Sequence, residues 1–298
     1  MTADTTSEAR AIRAAQAVAR RYEVACDEAV PIAGGSNALV HLKPAPVVAR
    51  VMTGTSMLHD DTERWLAREV AVAAFLAERT DLAVPPSDLL PPGPHEQDGL
   101  WMTMWKFVPH DAQAPLPEPR ELGRSLRDLH AALAGFQGDL APLSEIRAWL
   151  ERLLAQVRPS SSLTRADIGW LRVKLDALTP AVFESSLPAQ AIHGDASMSN
   201  LLRTERGLVW NDLEDVCAGP VAWDLAGLAA GARARGQSEA FVEELLVAYG
   251  DPGVDLAAFF EAHALYDVVW QAFEGRRRPQ ATKRAAASLA LLREGSAG

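Results

Sequence analysis

The sequence predicts an α+β protein in which a small antiparallel β-sheet with one main helix precedes a larger, mostly helical part. Before about residue 110, short apolar or alternating runs lie between turn residues, a pattern typical of antiparallel strands. After that point apolar residues recur at every third or fourth position, which indicates helices. The 298 residues, 48% hydrophobic and 23% charged, suffice for two modest domains and exclude a largely disordered chain.

The first part of the chain contains predicted helices and strands in alternation. Segments 7–22 and 62–79 carry apolar residues at helical spacing, whereas short apolar runs flanked by Gly-Gly-Ser-Asn and Lys-Pro-Ala-Pro favour strands. The proline-rich stretch Val84–Pro94 is expected to be a loop or an edge strand, since proline supplies no ladder donor. The predicted helices are Ser7–Tyr22 and Thr62–Arg79, and the predicted strands are Ala29–Ile32, Ala38–Leu42, Val47–Met52 and Gly99–Val108.

The second part is predicted to be helical apart from one polar loop. Between Ala189 and Leu213, short apolar pieces surround a polar segment, and this interruption is the most informative stretch of the sequence. The predicted helices are Glu121–Leu133, Ser144–Val157, Thr164–Phe183, Trp223–Arg235, Ser238–Tyr249, Leu256–Phe273 and Ala281–Arg293.

Charge and composition exclude several classes of protein. Twenty-nine basic against 39 acidic residues give a net charge of −10, the wrong sign for a general nucleic-acid binder. Cys26 and Cys217 lack the spacing of a disulfide framework or a zinc site. The polar N-terminus resembles no signal peptide, and no apolar run is long enough to span a bilayer, so a cytoplasmic protein without membrane contact is expected.

Three residues of the polar loop and its surroundings form a pattern suited to metal-assisted phosphoryl transfer. Asp195 is followed five residues later by Asn200, and Asp212 follows a strand-like piece. Carboxylate and amide oxygens are ligands that Mg²⁺ prefers, usually one or two of them together with substrate phosphates. In protein-kinase-type transfer, a catalytic-loop Asp is followed at this spacing by a metal-binding Asn, and a later Asp holds the metals.

The segments around these residues resemble a known family of kinases. His193-Gly194-Asp195 with Asn200, and the stretch Val221–Ala226 that contains Trp-Asp-Leu-Ala, are similar to the aminoglycoside phosphotransferase and choline kinase-like small-molecule kinases. The resemblance implies a bilobal protein kinase-like fold, with a nucleotide-binding lobe at 1–108 and a catalytic, acceptor-binding lobe at 109–298. It also implies Asp195 as the catalytic residue and Asn200 and Asp212 as metal ligands.

The resemblance further assigns nucleotide-binding roles in the first lobe. Arg50 stands where these kinases carry the basic residue that touches the nucleotide phosphates, and Glu69 matches the acid that pairs with it. Arg is a planar, permanently charged donor, so its phosphate geometry differs from that of the Lys found in many relatives. The phosphate loop corresponds to Gly34, Gly35, Ser36 and Asn37, and the hinge that stacks on adenine corresponds to Met104, Trp105 and Phe107.

The sequence also suggests roles for four further residues near the motifs. His193 is expected to brace the catalytic loop and not to transfer a proton. Asp224 is expected to serve as the N-cap of the helix that begins there. Glu214 and Asp215 are candidates for the metal shell or the substrate rim, and each is equally compatible with neither role.

These expectations describe a kinase that uses ATP, with GTP left open, and Mg²⁺ to phosphorylate a hydroxyl of a small molecule. The resemblance favours an aminoglycoside or amino sugar, with a sugar, another antibiotic, choline or an amino alcohol as alternatives. Acid-rich helices in the second lobe would suit a cationic acceptor. A catalytically silent nucleotide-binding regulator and a protein kinase are the rival hypotheses. The sequence leaves open whether the biological role is antibiotic resistance or primary metabolism. It also leaves open whether the protein is a monomer or a homodimer.

Overall fold

The structure is a mixed arrangement of helices and mostly antiparallel strands. This computed structural model describes residues 2–32, 37–54, 61–160, 163–275 and 279–295. The helices are α1 (Thr2–Arg21), α2 (Thr62–Ala77), α3 (Pro119–Leu133), α4 (Ser144–Gln156), α5 (Arg165–Leu178), α6 (Ala222–Ala234), α7 (Glu239–Tyr249), α8 (Ala257–Glu274) and α9 (Pro279–Gly295). The strands are β1 (Cys26–Ile32), β2 (Ala38–Pro44), β3 (Val47–Val51), β4 (His95–Gln97), β5 (Leu100–Lys106), β6 (Ala141–Pro142), β7 (Gln190–Ile192), β8 (Leu201–Thr204), β9 (Gly207–Trp210) and β10 (Cys217–Gly219).

The chain divides into two compact units, and each is assembled from several segments. The first unit comprises Met1–Pro115, Ala131–Asp139 and Asn200–Val216, and the second comprises Leu116–His130, Leu140–Ser199 and Cys217–Gly298. The predicted lobes, 1–108 and 109–298, are each one continuous segment, and the boundary between them stays a prediction. Residues 200–216 return to the first unit, so the metal-ligand candidates Asn200 and Asp212 belong to it and Asp195 belongs to the second.

A five-stranded antiparallel sheet forms the first unit, in the order β1-β2-β3-β5-β4. The three strands predicted before residue 53 are confirmed, and so is their antiparallel pairing. Within β3, Arg50 lies opposite Leu39 of β2 and Thr103 of β5, so the neighbouring strands flank it on both sides. Helix α1 covers one face of the sheet, and its Ala11, Ala14, Ala15 and Val18 join the strands in one buried cluster.

Helix α2 and the β8–β9 hairpin complete the part of the first unit that carries site residues. The Asp61 carboxylate accepts the Arg64 amide (3.0 Å) and so caps the start of α2. The hairpin is fixed through the buried Trp210, whose amide donates to the Leu82 carbonyl and whose carbonyl accepts the Val84 amide, both at 2.8 Å. This anchoring fixes the position at which the chain continues into Asn211 and Asp212.

The second unit is helical around a small three-stranded sheet in the order β6-β10-β7. Strand β7 pairs antiparallel with β10, which comes directly before α6 in the chain. The polar loop predicted between Ala189 and Leu213 begins where β7 ends, and it continues into a 3₁₀ turn at Met198–Asn200. Along the chain, the catalytic-loop candidates therefore follow the short edge strand β7 and precede strand β8.

All of the predicted helices are present, with small changes at their ends. The helix predicted for 164–183 ends at Leu178, because Pro180 cannot continue the hydrogen-bonding pattern. Strands β4, β6, β7, β8 and β10, each of two to four residues, were not among the predicted strands. Across the ranges that the structure describes, no helix combines the length and apolarity needed to cross a membrane.

Candidate active site

Arg50 is the centre of a charged cluster in the first unit. Its guanidinium is bonded to Glu69 of α2 and to Glu214, and its Nη1 lies 2.9 Å from Asp212 Oδ1. Arg50 and Glu69 are 5% and 1% exposed, so the pair is removed from water. The structure thus brings together three sequence-predicted residues, Arg50, Glu69 and Asp212. It also adds Glu214, and we call these four residues the Arg50 cluster.

The Arg50 cluster holds three carboxylates against one guanidinium. Burial raises the pKa of Glu69 to about 8, and the Arg50 charge opposes that shift only in part. Burial likewise raises the pKa of Glu214, with Asp212 and Asp215 adding repulsion. Burial disfavours the charge on Arg50, but the three carboxylates outweigh it and hold its pKa above the ordinary value. Three acidic groups therefore crowd one guanidinium, and a second cation bound beside Asp212 would favour their ionised forms.

Asp212 has an unusual backbone and an accessible carboxylate. It adopts a left-handed conformation (φ 59°, ψ 57°) between β9 and a 3₁₀ turn at Leu213–Asp215. A residue other than glycine in this region is uncommon, although Asp tolerates it better than most, and such residues concentrate at functional sites. The side chain of Asp212 is 38% exposed, whereas that of Glu214 is 14% exposed. Asp212 is therefore the carboxylate of the cluster best placed to take a further ligand.

A backbone hydrogen bond holds Asn200 close to the segment that carries Asp212. It ends the 3₁₀ turn after the catalytic loop and is 7% exposed, and its carbonyl accepts the Asn211 amide at 3.0 Å. The two metal-ligand candidates thus sit on chain segments that are hydrogen-bonded to each other.

The residues fit a magnesium–nucleotide complex. One accessible carboxylate and one amide oxygen supply hard ligands, and Mg²⁺ normally completes its shell with water and phosphate oxygens. The described part of the chain contains no group of three His, Cys, Asp or Glu residues able to hold a metal, so an all-protein metal cage is not formed there. Arg50 Nε is buried without a hydrogen-bond partner, and a phosphate oxygen would satisfy it.

The predicted phosphate loop is only partly within the described residues. Gly34, Gly35 and Ser36 lie outside them. Asn37 comes directly before β2, and its Nδ2 donates to Glu214 Oε2 at 3.3 Å. The last residue of the predicted loop is therefore tied to the Arg50 cluster.

The predicted hinge residues differ in their surroundings. Met104 is fully buried in the core, and its amide and carbonyl are hydrogen-bonded to Pro92 and Ser87. Trp105 is buried and donates from Nε1 to Thr103 Oγ1 (2.9 Å). Phe107 is half-buried and stacks on His41, with ring centroids 4.1 Å apart. One face of Phe107 is thus already covered, so adenine stacking there would use its other face. The hinge role of these residues stays a prediction.

The predicted catalytic loop of the second unit is held through its backbone. Asp195 is half-buried and follows Gly194, whose φ of +86° is a conformation that glycine adopts without strain. The fully buried His193 accepts the Asp195 amide on Nδ1 at 3.4 Å. This contact agrees with the expectation that His193 braces the loop.

Asp224 supports the catalytic loop and does not cap a helix, so the expected N-cap role is wrong. The N-cap position of α6 is Val221, without a side-chain bond, and Asp224 lies inside the helix and is fully buried. Its carboxylate accepts the amides of His193 (2.6 Å) and Gly194 (2.9 Å). It therefore fixes the backbone immediately before Asp195.

Two residues that sequence reasoning missed complete this support. His130 Nε2 lies 2.9 Å from Asp224 Oδ2, and His130 Nδ1 lies 2.8 Å from the Tyr249 hydroxyl. Because an ionised carboxylate only accepts, His130 donates from Nε2, and in its neutral form it accepts the tyrosine proton on Nδ1. Burial and the Asp224 charge raise the pKa of Tyr249 to about 12, which keeps the phenol protonated. A histidine on the apolar face of a predicted helix was the only sequence signal for His130.

His263 beside the loop makes the stability of the fold dependent on pH. Burial lowers its pKa to about 4, although its bond to the Trp223 carbonyl (2.8 Å) and the Asp224 charge oppose the shift. The folded state thus favours neutral His263, whose stabilising effect is complete above an unfolded pKa near 6.5 and is lost as the pH falls towards 4. We expect the unfolding free energy to drop by about 2 kcal/mol from this group between pH 7 and pH 5.

Urea unfolding at pH 7 and pH 5 measures this contribution. His263→Gln keeps a donor for the Trp223 carbonyl but has no group that titrates in this range. The unfolding free energy of this variant should therefore fall less between pH 7 and pH 5 than that of the wild type, by about 2 kcal/mol. His110→Gln, at an exposed histidine, is the matched control and should behave like the wild type. Equal pH dependence in all three proteins would contradict the assignment.

Comparison with known proteins places the chain in a family. The family model described as APH, phosphotransferase enzyme family, matches residues 28–260. No curated protein is a significant match to the sequence.

Solved structures share the fold at low sequence identity. An amicoumacin kinase, hAmiN, in complex with AMP-PNP, Ca²⁺ and Ami aligns with a TM-score of 0.68 and 12% identity, covering 91% of this chain and 93% of the other. The choline kinase LicA from Streptococcus pneumoniae aligns with a TM-score of 0.65 and 13% identity, covering 93% of this chain and 98% of the other. The GDP and kanamycin complex of APH(2″)-IIia aligns with a TM-score of 0.63 and 16% identity, covering 96% of this chain and 99% of the other.

The family match and the shared fold agree with the motifs at Asp195, Asn200 and Asp212. The predicted resemblance, the kinase-like α+β fold and the enzyme class are confirmed. Because the family model spans most of the chain, this protein belongs to the phosphotransferase enzyme family.

Proposed function

We propose that the protein transfers the γ-phosphoryl group of ATP to a hydroxyl of a small molecule with the help of Mg²⁺. The observation that carries the proposal is the Arg50 cluster, in which a buried guanidinium and an accessible Asp212 carboxylate are held together. A guanidinium suits phosphate oxygens, and a carboxylate suits the cation that accompanies them. The nucleotides and Ca²⁺ named for hAmiN and APH(2″)-IIia support the same type of ligand.

Each residue then has one task. Arg50 and Asn37 neutralise and orient the phosphates, while Asp212 and Asn200 hold Mg²⁺, which when bound neutralises charge on the nucleotide phosphates. Asp195 accepts the proton of the acceptor hydroxyl. The oxygen forms a bond to the γ-phosphorus as the bond from that phosphorus to the β–γ bridging oxygen breaks, and ADP leaves with the electron pair. Positioning and charge stabilisation supply most of the catalysis.

The acceptor belongs to the proposal as well. The resemblance favours aminoglycosides or amino sugars, and the kinase structures that share the fold are named for amicoumacin, kanamycin and choline. A role in antibiotic resistance and a cytoplasmic location are part of the same proposal. GTP is an alternative nucleotide, because three of the structures that share the fold are GDP complexes of aminoglycoside phosphotransferases.

A screen for acceptor-dependent release of ADP from ATP, or of GDP from GTP, tests the function. Aminoglycosides, sugars, amino alcohols and other antibiotics are offered with either nucleotide, with and without Mg²⁺. We expect at least one acceptor to stimulate release of the nucleoside diphosphate, EDTA to abolish this release and added Mg²⁺ to restore it. A nucleotide-dependent rise in Tm without transfer to any acceptor would instead support the silent regulator.

A further inference from the structure

Glu214 belongs to the Arg50 cluster but has no task in the proposed reaction. Its Oε2 accepts from Arg50 Nη1 and also from Asn37 Nδ2, the latter at 3.3 Å. One carboxyl oxygen therefore joins two donors, and these belong to the two residues assigned to the nucleotide phosphates. Any change at Glu214 acts on both residues at once.

The sheet of the first unit brings Asn37 and Arg50 close together. On β3, Arg50 stands between Ala49 and Val51, which join the buried cluster under α1, so the Arg50 side chain lies on the opposite face. Leu39 of β2 pairs with Arg50, and Asn37 comes two residues before Leu39. The sheet thus places both backbones, and a further contact is needed to fix the side-chain donors.

A short turn supplies that contact. The 3₁₀ turn Leu213–Asp215 follows the left-handed Asp212, and the Val216 amide donates to the Leu213 carbonyl at 3.2 Å. Leu213 is 2% exposed, so its side chain holds the turn by packing. Glu214 is therefore fixed by backbone and packing contacts that do not involve Arg50 or Asn37.

Exposure and hydrogen bonding distinguish Glu214 from the metal-ligand candidate Asp212. The side chain of Glu214 is 14% exposed, whereas that of Asp212 is 38% exposed. A carboxyl oxygen has two lone pairs, and two protein donors already occupy Glu214 Oε2. Glu214 is thus better suited to hold the donors than to bind Mg²⁺.

We infer that Glu214 is a positioning residue, which holds the Asn37 amide and the Arg50 guanidinium in one arrangement for the nucleotide phosphates. The inference rests on the proposed function and adds a residue to the same site. Donors that are already oriented lose less conformational entropy when the ligand binds, so their affinity for it is higher than that of freely moving side chains.

Binding of a fluorescent ATP analogue, measured in EDTA and again in Mg²⁺, tests this role. Glu214→Leu keeps apolar volume but removes the acceptor, and we expect it to raise the Kd about tenfold in both buffers. Glu214→Ala should give the same loss, so the result does not depend on the folding of one variant. Glu214→Gln keeps an acceptor oxygen and should stay within about threefold of the wild type. Glu205→Leu, at an exposed glutamate between β8 and β9, is the matched control and should bind like the wild type.

A double-mutant cycle tests whether Glu214 acts through Asn37. Asn37→Ala removes a phosphate donor and should raise the Kd by itself. In that background Glu214→Leu has only Arg50 left to release, so we expect a loss of about threefold instead of tenfold. Removing an acidic group beside the phosphates does not weaken their binding electrostatically, so a weaker affinity reports on the position of the donors and not on charge.

Three outcomes would overturn the inference. Wild-type affinity in Glu214→Leu would show that the donors need no support, and tighter binding would show that Glu214 competes with the phosphates. A loss confined to the Mg²⁺ buffer would make Glu214 a metal ligand. The expected binding pattern without phosphoryl transfer to any acceptor would support the positioning role and reject the proposed function. Transfer together with wild-type affinity in Glu214→Leu would do the reverse, so the two failures are distinguishable.

Discussion

Replacing Asp195 by Asn is expected to lower kcat about 10³-fold while leaving the nucleotide KM within about twofold. Asn has the same size and still forms hydrogen bonds, but it cannot take the proton of the acceptor hydroxyl. Asp195 belongs to the second unit, whereas the Arg50 cluster assigned to nucleotide binding belongs to the first. The loss should therefore appear in kcat and not in nucleotide binding. Steady-state kinetics with a confirmed acceptor measure both constants.

Ser199→Ala is the matched control for this variant. Ser199 lies in the same loop and is exposed, and its hydroxyl is hydrogen-bonded to that of Ser197 at 2.7 Å. We expect wild-type kcat from it. The loop backbone is held by Asp224 through the amides of His193 and Gly194, so Asp195→Asn should also keep the wild-type Tm. A kcat for Asp195→Asn within tenfold of the wild type would reject the proton-accepting role.

The helices were predictable because the pattern that determines each of them, the spacing of apolar residues, lies within its own segment. Along α3, Leu122, Leu126, Leu129 and Leu133 recur at steps of four, three and four, and all four are fully buried. Strands β6 and β10 lack such a signal, since two or three residues show no periodicity. They pair only because the fold brings residues 141–142 beside 217–218.

Candidate site residues could be proposed where a motif marks them and not where distant partners build the site. The candidates at 195, 200 and 212 come from their spacing, and Arg50 and Glu69 come from the resemblance; their roles stay predictions. His130 could not be assigned a role, because its partner Asp224 lies 94 residues away and the contact depends on how α3 and α6 pack. For the same reason Glu214 remained one of several acids until the structure placed it on Arg50.

Replacing Arg50 by Met is expected to destabilise the protein by about 3–5 kcal/mol and to raise the KM for ATP at least tenfold. Methionine fills similar space but removes the guanidinium that bonds the carboxyl groups of Glu69, Glu214 and Asp212. Removing one partner of a buried ion pair costs more than replacing both, because the remaining charge stays desolvated. Urea unfolding and steady-state kinetics measure the two effects.

Two further variants separate charge from shape in the same cluster. Arg50→Lys keeps the charge but cannot bridge three carboxylates with a planar group, so it should lose less stability than Arg50→Met while still weakening ATP binding. In the double variant Arg50→Met/Glu69→Leu, the buried pair is replaced by apolar groups, and we expect part of the lost stability to return. In this double variant stability should recover in part but ATP binding should not, because no guanidinium remains to bind the phosphates. A loss below about 1 kcal/mol in Arg50→Met would show that the cluster is not held by this charge.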